Sequence, residues 1–252
     1  MLYDKLSVLF LSAAASEKGD SINSQIAAYI LSHSDAVKGM GIRELAQQCH
    51  VGIGTVSRFC RDVGVGGYAQ LQQLLMEYHP SFERIADNAA GDLAARIGQE
   101  ISLAADKVDM AQVKAVAEEI RAYKRVAAFG LMKAESAALC LQSDLLMLGK
   151  SIYTNVSFPQ QMDYIRTSGK DTLVLLFSYT GAYFDYADDL RDDRPLFPPR
   201  IVLITGSREK AAPYIDRVVR FDSRQDQLGH PYQLQLVAGL IAQEYAKLTD
   251  IS

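Results

Sequence analysis

The first 78 residues place their apolar side chains at the spacing of α-helices. One face of the opening segment is apolar, formed by Leu2, Leu6, Leu9, Phe10 and Ala13. Such a face must be buried against other helices. Asp20 or Ser21 can cap a second helix, and two short helical stretches follow over 42–49 and 54–64. The pattern therefore predicts an all-α domain over residues 1–78.

A different pattern begins at Arg125, where short runs of aliphatic and β-branched residues alternate with helical segments. The runs are RVAAFG, SIYTN, TLVLLFS, RIVLITG and RVVRFD. The helical segments cover 134–148, 159–168, 182–192, 209–215 and 231–248. Apolar strands joined by crossover helices indicate a parallel sheet covered on both faces. We expect an α/β domain over 109–252 with a five-stranded, doubly wound parallel sheet.

The segment between these two regions is predicted to be a helical linker over 79–108. It begins beside His79-Pro80, because a residue that precedes proline is disfavoured in a helix. The alternation of strands and helices begins only after this linker. The chain is therefore expected to carry two domains.

Charge and composition narrow the class of protein. The net charge is −4, and residues 1–80 carry 6 Lys and Arg against 7 Asp and Glu. Nucleic-acid binding must then come from a few well-placed cations. The three cysteines have no metal or redox spacing, which favours reduced thiols in a cytoplasmic protein without a metal or cofactor. No run approaches the roughly 20 apolar residues that cross a membrane, so no membrane contact is expected.

The segment RELAQQCHVGIGTVSRF, residues 43–59, has the pattern of a helix-turn-helix. Ala46 provides the small side chain that two crossing helices need, and Val51 and Val56 fill the space between them. The second helix of such a unit reads DNA with its N-terminal residues. The candidate DNA contacts are Thr55, Ser57, Arg58 and Arg61. A solvated helix face is the alternative interpretation of both arginines.

Three residues depart from an ideal unit of this kind. His50 occupies the turn position where a positive φ is needed and glycine is usual. Gly52 offers no capping oxygen to the second helix. Gly54 lies within that helix, where glycine costs about 1 kcal/mol relative to alanine.

The arrangement resembles the RpiR family of regulators, which pair an N-terminal helix-turn-helix with a C-terminal sugar isomerase (SIS) domain. The resemblance rests on IRELAQQCHVGIGTVSRFCRDVGVGGYAQLQQLL, above all TVSRFCRDVG followed by GGY. It implies a transcription regulator that binds a double-stranded DNA operator and a phosphorylated sugar effector as a homodimer or higher homo-oligomer. Asp62 stands where the family often carries a base.

The SIS resemblance places the effector at the loops that follow the first strand and the strand TLVLLFS. Ligands of parallel sheets bind at such carboxyl ends, where helix N-termini offer N–H groups to a phosphate. The candidate effector contacts are Gly130, Lys133, Ser178, Thr180 and Gly181. Several family hydroxyls are replaced, with Met132, Ala134, Ala182 and Tyr183 in their places. Ser207 and Arg208 offer substitute contacts.

Three functions remain open on the sequence alone. The preferred one is an effector-responsive regulator in which helices of 81–122 transmit the effector signal. A second is a DNA-binding protein whose altered SIS domain only dimerises, with the apolar helix 231–248 at the interface. A third is a sugar-phosphate isomerase with Glu135 and His230 as its acid and base. The attached DNA-binding region favours a protein that is not an enzyme.

Overall fold

The computed structural model describes residues 5–15, 21–78, 89–186, 198–209, 211–224 and 227–249. The N-terminal region is helical, as predicted. Its helices are α1 (Lys5–Ala14), α2 (Ile22–Ser32), α3 (Ser34–Val37), α4 (Ile42–Gln48), α5 (Ile53–Asp62) and α6 (Tyr68–Glu77). The apolar face of α1 is buried at Leu6, Leu9, Phe10 and Ala13, while Leu2 lies outside the described residues.

The start of α2 is set by Ser21, whose hydroxyl accepts the N–H of Ser24 at 3.1 Å. An N-cap of this kind satisfies one of the free N–H groups at the beginning of a helix. The prediction that Asp20 or Ser21 caps this helix is confirmed for Ser21. Asp20 lies outside the described residues.

The second region contains a parallel sheet in the order β1-β2-β3-β4. The strands are β1 (Arg125–Gly130), β2 (Thr172–Phe177), β3 (Arg200–Thr205) and β4 (Arg217–Arg220). The predicted fifth strand at SIYTN is wrong, since this segment pairs with β1 through a single bridge between Tyr153 and Ala127. Asn155 ends the extended segment because its side chain accepts the N–H of Ser157 and turns the chain into the next helix.

Helices cover both faces of the sheet. They are α7 (Ala89–Lys107), α8 (Met110–Ala122), α9 (Glu135–Met147), α10 (Phe158–Thr167) and α11 (His230–Ala246). The helix predicted over 209–215 is wrong, because residues 211–215 form turns and irregular backbone around Pro213, which lacks an N–H. The segment predicted over 182–192 starts as a 3-10 turn, Tyr183–Tyr186, and residues 187–192 are not described. None of the helices described is long and apolar enough to cross a bilayer.

Alternate residues of the strands face two separate cores. Ala128, Leu175 and Ile204 point to one core, which they share with α8, α9 and α11. Phe129 and Leu176 point to the other, which is continuous with the buried side chains of the N-terminal helices. The helix-turn-helix region therefore packs directly on one face of the sheet.

The apolar residues of α11 pack within the chain. Val237, Ile241 and Tyr245 are buried, and Leu236 and Leu240 are partly buried against the same core. This packing accounts for the apolar character of the last helix without a second subunit. It leaves the predicted homo-oligomer without a described interface on α11.

Candidate functional site

The turn between α4 and α5 has the geometry that the sequence pattern requires. His50 has a φ of +53°, which confirms the predicted left-handed position. Around it, the N–H of Val51 donates to Ala46 O at 2.9 Å and closes the end of α4. A side chain with a β-carbon is strained in this region of backbone space.

We expect His50→Gly to raise the free energy of unfolding by about 1 kcal/mol, because glycine adopts a positive φ without steric cost. Urea denaturation of both proteins measures the difference. Gly64 ends α5 with a φ of +79°, so Gly64→Ala is the matched reverse change and should destabilise the protein. A less stable His50→Gly variant would show that the imidazole makes a compensating contact.

The second helix of the unit, α5, is held by one buried face. Val56, Phe59 and Cys60 are fully buried, and the Phe59 ring meets the Phe10 ring of α1 edge-to-face at 5.3 Å. Burial raises the pKa of the Cys60 thiol to about 11, which keeps it an un-ionised core residue. This packing fixes which side of α5 faces outward.

The outward side of α5 carries the candidate DNA contacts. Arg58 and Arg61 are exposed, whereas Thr55 and Ser57 are half-buried. Neither arginine forms a hydrogen bond or ion pair with any residue that the structure describes. Asp62, by contrast, accepts a hydrogen bond from the Asn23 side chain at 3.0 Å. Its carboxylate is thus tied to α2, and the two guanidinium groups remain available to an external anion.

A cavity of about 180 Å³ opens at the carboxyl edge of the sheet, between the loops that follow β2 and β3. Its polar lining combines Thr180, Gly181, Thr205 and Ser207 with the carboxylates of Asp185 and Glu209. Gly181 has a φ of +78°, and its N–H donates to Ser178 O at 3.0 Å. The Thr205 hydroxyl donates to Tyr179 O at 3.2 Å and joins the two loops.

Of the predicted effector contacts, Thr180 and Gly181 line this cavity. Ser178, 9% exposed, lines a smaller neighbouring cavity with Val8, Leu131, Tyr183 and His230. The sequence reasoning did not select Thr205 or Val8. A polar residue that ends an apolar strand was the available signal for Thr205. No local signal could place Val8, which belongs to the N-terminal domain.

The loop after β1 contributes less to these cavities than predicted. A β-carbon on Gly130 would lie 2.6 Å from the carbonyl of Ala134, so this glycine permits close packing of α9 on β1. Lys133 extends its Nζ to Gln227 O at 3.2 Å. Met132 has a φ of +58°, a conformation in which the glycine usual in the family would be less strained.

The candidate acid and base of an isomerase lie close to the same edge. His230 is buried at the start of α11, with its ring 4.7 Å from that of Tyr179 and Nδ1 3.1 Å from Gln227 O. Burial raises the pKa of the Glu135 carboxyl at the start of α9. Within the described ranges, no three His, Cys, Asp or Glu side chains cluster as metal ligands.

Comparison with known proteins supports both halves of this description. Residues 14–81 match the family model described as the helix-turn-helix domain of the rpiR family. The chain is 24% identical over 237 residues to an uncharacterized HTH-type transcriptional regulator in the aarA 3′ region of Providencia stuartii, covering 87% of this chain and 83% of that protein. The resemblance inferred from the sequence is confirmed.

Two solved structures share the fold. The Vibrio vulnificus NanR protein complexed with ManNAc-6P matches at a TM-score of 0.54 and 16% identity, over 95% of this chain and 92% of that one. The E. coli CFT073 protein c3406, in complex with a sugar phosphate, matches at 0.52 and 15% identity, over 63% and 88%. The predicted fold class, a helical N-terminal region followed by a parallel α/β domain, is confirmed with four strands instead of five.

Proposed function

We propose that this chain, which belongs to the RpiR family of transcription regulators by its helix-turn-helix domain, binds an operator through α5 and responds to a phosphorylated sugar. The outward side of α5 carries this proposal. Its two exposed arginines have no partner among the described residues, and it is held rigidly by the buried Phe59 and Cys60. Guanidinium groups so placed suit phosphates and guanine edges.

The cavity between the loops after β2 and β3 is the proposed effector site. Hydroxyls of Thr180, Thr205 and Ser207 suit phosphate oxygens, and the carboxylates of Asp185 and Glu209 suit sugar hydroxyls. Arg220 adds positive charge behind this loop, donating to Ser207 O at 3.3 Å. The two solved relatives, each complexed with a sugar phosphate, support the choice of a phosphorylated sugar.

A SIS-like domain that only dimerises is the second candidate, and Tyr183 favours it. This side chain is fully buried, and its hydroxyl donates to Gln161 Oε1 at 2.6 Å. A tyrosine plugged into the core replaces a hydroxyl residue that the family offers to the ligand. We infer that the protein is not an enzyme, since the loops around His230 and Glu135 lack much of the hydroxyl set of SIS isomerases.

We propose that α1 couples the effector site to α5. Val8 lines the smaller cavity beside Ser178 and Thr180, while Phe10, two residues on, packs on Phe59 of α5. The Ser12 hydroxyl also accepts the N–H of Phe158 at the start of α10. One helix thus contacts both the candidate effector loops and the DNA-reading helix, a shorter route than the helices of 81–122. An effector that favours one position of α1 would change operator affinity by its preference for that position.

Selection of fragmented genomic DNA by the purified protein tests the regulator function. We expect a few palindromic fragments to be enriched, and their binding to weaken as salt is raised. No enrichment over background would contradict the proposal. Direct turnover assays on pentose and hexose phosphates test the isomerase alternative.

Thermal unfolding with a panel of sugar phosphates tests the effector site. An effector present at about 100 times its Kd stabilises the protein by about 2.7 kcal/mol, a rise in Tm of several degrees. Thr205→Val keeps the shape of the side chain but removes its hydroxyl, and should reduce that rise. Protection by no sugar phosphate would favour the dimerisation scaffold.

A further inference from the structure

The N-terminal end of α5 has an unusual surface, formed by Gly52, Ile53 and Gly54. All three residues are exposed, and Ile53 is 44% exposed. Ile53 does not belong to the hydrophobic core that holds the rest of the N-terminal domain, although its neighbours Val51 and Val56 do. A single exposed isoleucine is ordinary on a protein surface. Its position between two glycines is what calls for an explanation.

Neither glycine is required by the fold of the chain. A β-carbon on Gly54 would meet nothing within 4 Å, and one on Gly52 would lie 3.9 Å from Thr55 Oγ1, an ordinary contact. The backbone of Gly52 is extended, with a φ of −77°, which any residue adopts. Alanine at 54 would favour the helix more than glycine does. Residues that weaken the helix and relieve no internal clash point to an external surface that approaches closely.

The spacing places these residues on the DNA-reading side. Ile53 and Ser57 lie four residues apart, as do Gly54 and Arg58, so each pair shares one side of α5. The N-terminal residues of such a helix are the ones that meet base edges. With no side chain at 52 or 54, the Ile53 side chain stands out as a single apolar ridge beside Arg58.

We propose that Ile53 is a specificity-determining residue that packs on the 5-methyl group of a thymine in the major groove, and that Gly52 and Gly54 permit this close approach. The thymine methyl is the apolar feature that an aliphatic side chain can recognise in that groove. The inference rests on the proposed DNA-binding function of α5. It assigns to each operator half-site an A·T pair beside the base pair that Arg58 contacts.

Replacement of thymine by deoxyuridine in the selected operator, one position at a time, tests the contact with Ile53. Deoxyuridine lacks the 5-methyl group and keeps the hydrogen-bonding edges. At one position per half-site, we expect the wild-type protein to bind about fourfold more weakly, the value of one methyl group removed from water. Ile53→Ala should bind the thymine and deoxyuridine operators equally. If every position affects both proteins alike, Ile53 does not read a thymine methyl.

Gly54→Ala tests the close approach. We expect this variant to melt about 2 °C higher, because alanine favours the helix, and to bind the operator at least about tenfold more weakly, because the added methyl holds α5 away from the bases. Gly98→Ala in α7 is the matched control, since a β-carbon there also meets nothing within 4 Å. It should gain stability without losing operator affinity.

The outcomes separate this inference from the function on which it rests. A Gly54→Ala variant that binds the operator as tightly as the wild-type protein overturns the close approach. Failure of the wild-type protein to enrich any DNA overturns the proposed function and the inference with it. An enriched operator without an A·T pair near the contacted segment overturns the inference alone.

Discussion

Arg58→Ala is expected to lower operator affinity by about 10- to 100-fold while leaving the thermal stability unchanged. The guanidinium group is exposed and has no partner among the described residues, so its removal breaks no contact within the chain. Loss of one bidentate contact to a guanine edge costs roughly 1–3 kcal/mol of binding free energy. Fluorescence anisotropy with a labelled operator, together with a melting curve for each protein, measures both quantities.

The matched control is Lys114→Ala, which removes one exposed cation from α8, outside the helix-turn-helix. It changes the net charge equally and should bind as the wild-type protein does. Arg58→Lys distinguishes the kind of contact, since lysine satisfies a phosphate as a point charge but not a bidentate guanine edge. If Lys114→Ala weakens binding as much as Arg58→Ala, the effect is one of total charge and α5 has no special role.

Phe10→Ala should cost about 3–5 kcal/mol of unfolding free energy. The Phe10 side chain is fully buried, and its ring packs edge-to-face on that of Phe59. Removal of the ring leaves a cavity between α1 and the DNA-reading helix. Urea denaturation followed by circular dichroism gives the difference, and Leu11→Ala on the exposed side of α1 is the control. Leu11 is 45% exposed, so its replacement should change the free energy by less than about 0.5 kcal/mol.

The same variant tests the coupling through α1. Because Phe10 links α1 to α5, Phe10→Ala should bind an effector yet show a smaller change in operator affinity when the effector is added. The comparison is made at a temperature where both proteins are folded. A variant that loses stability but keeps the full effector response would place the coupling elsewhere, such as the helices of 81–122.

Much of the N-terminal domain follows from local sequence. The helical spacing of apolar residues, the cap at Ser21 and the alternation of strands and helices each depend on neighbours within a few residues. The positive φ at His50 was predictable for the same reason, because the turn between two crossing helices admits few backbone geometries. The outward side of α5 was likewise readable once Val56 and Phe59 were assigned to the core.

The predictions that were wrong concern segments whose structure depends on distant partners. SIYTN has the composition of a strand, but the chain turns away after Tyr153, and Asn155 directs it into α10. The segment 209–215 spans a connection between two strands too short for a packed helix around Pro213. Strand propensity and helical spacing are weak guides in such segments because the contacts made by the ends of the segment decide its form.

Local patterns in the chain were enough to specify the two kinds of domain, the DNA-reading helix and the sheet edge at which Thr180 and Gly181 lie. Tertiary contacts were needed to show that α1 rests on that edge, that Val8 lines a cavity with Ser178, and that Thr205 joins the loops after β2 and β3. The difference is one of range along the chain. Helical periodicity and turn geometry are local properties, whereas Ser12 and Phe158 meet across 146 positions, and nothing in the sequence near either residue specifies the other.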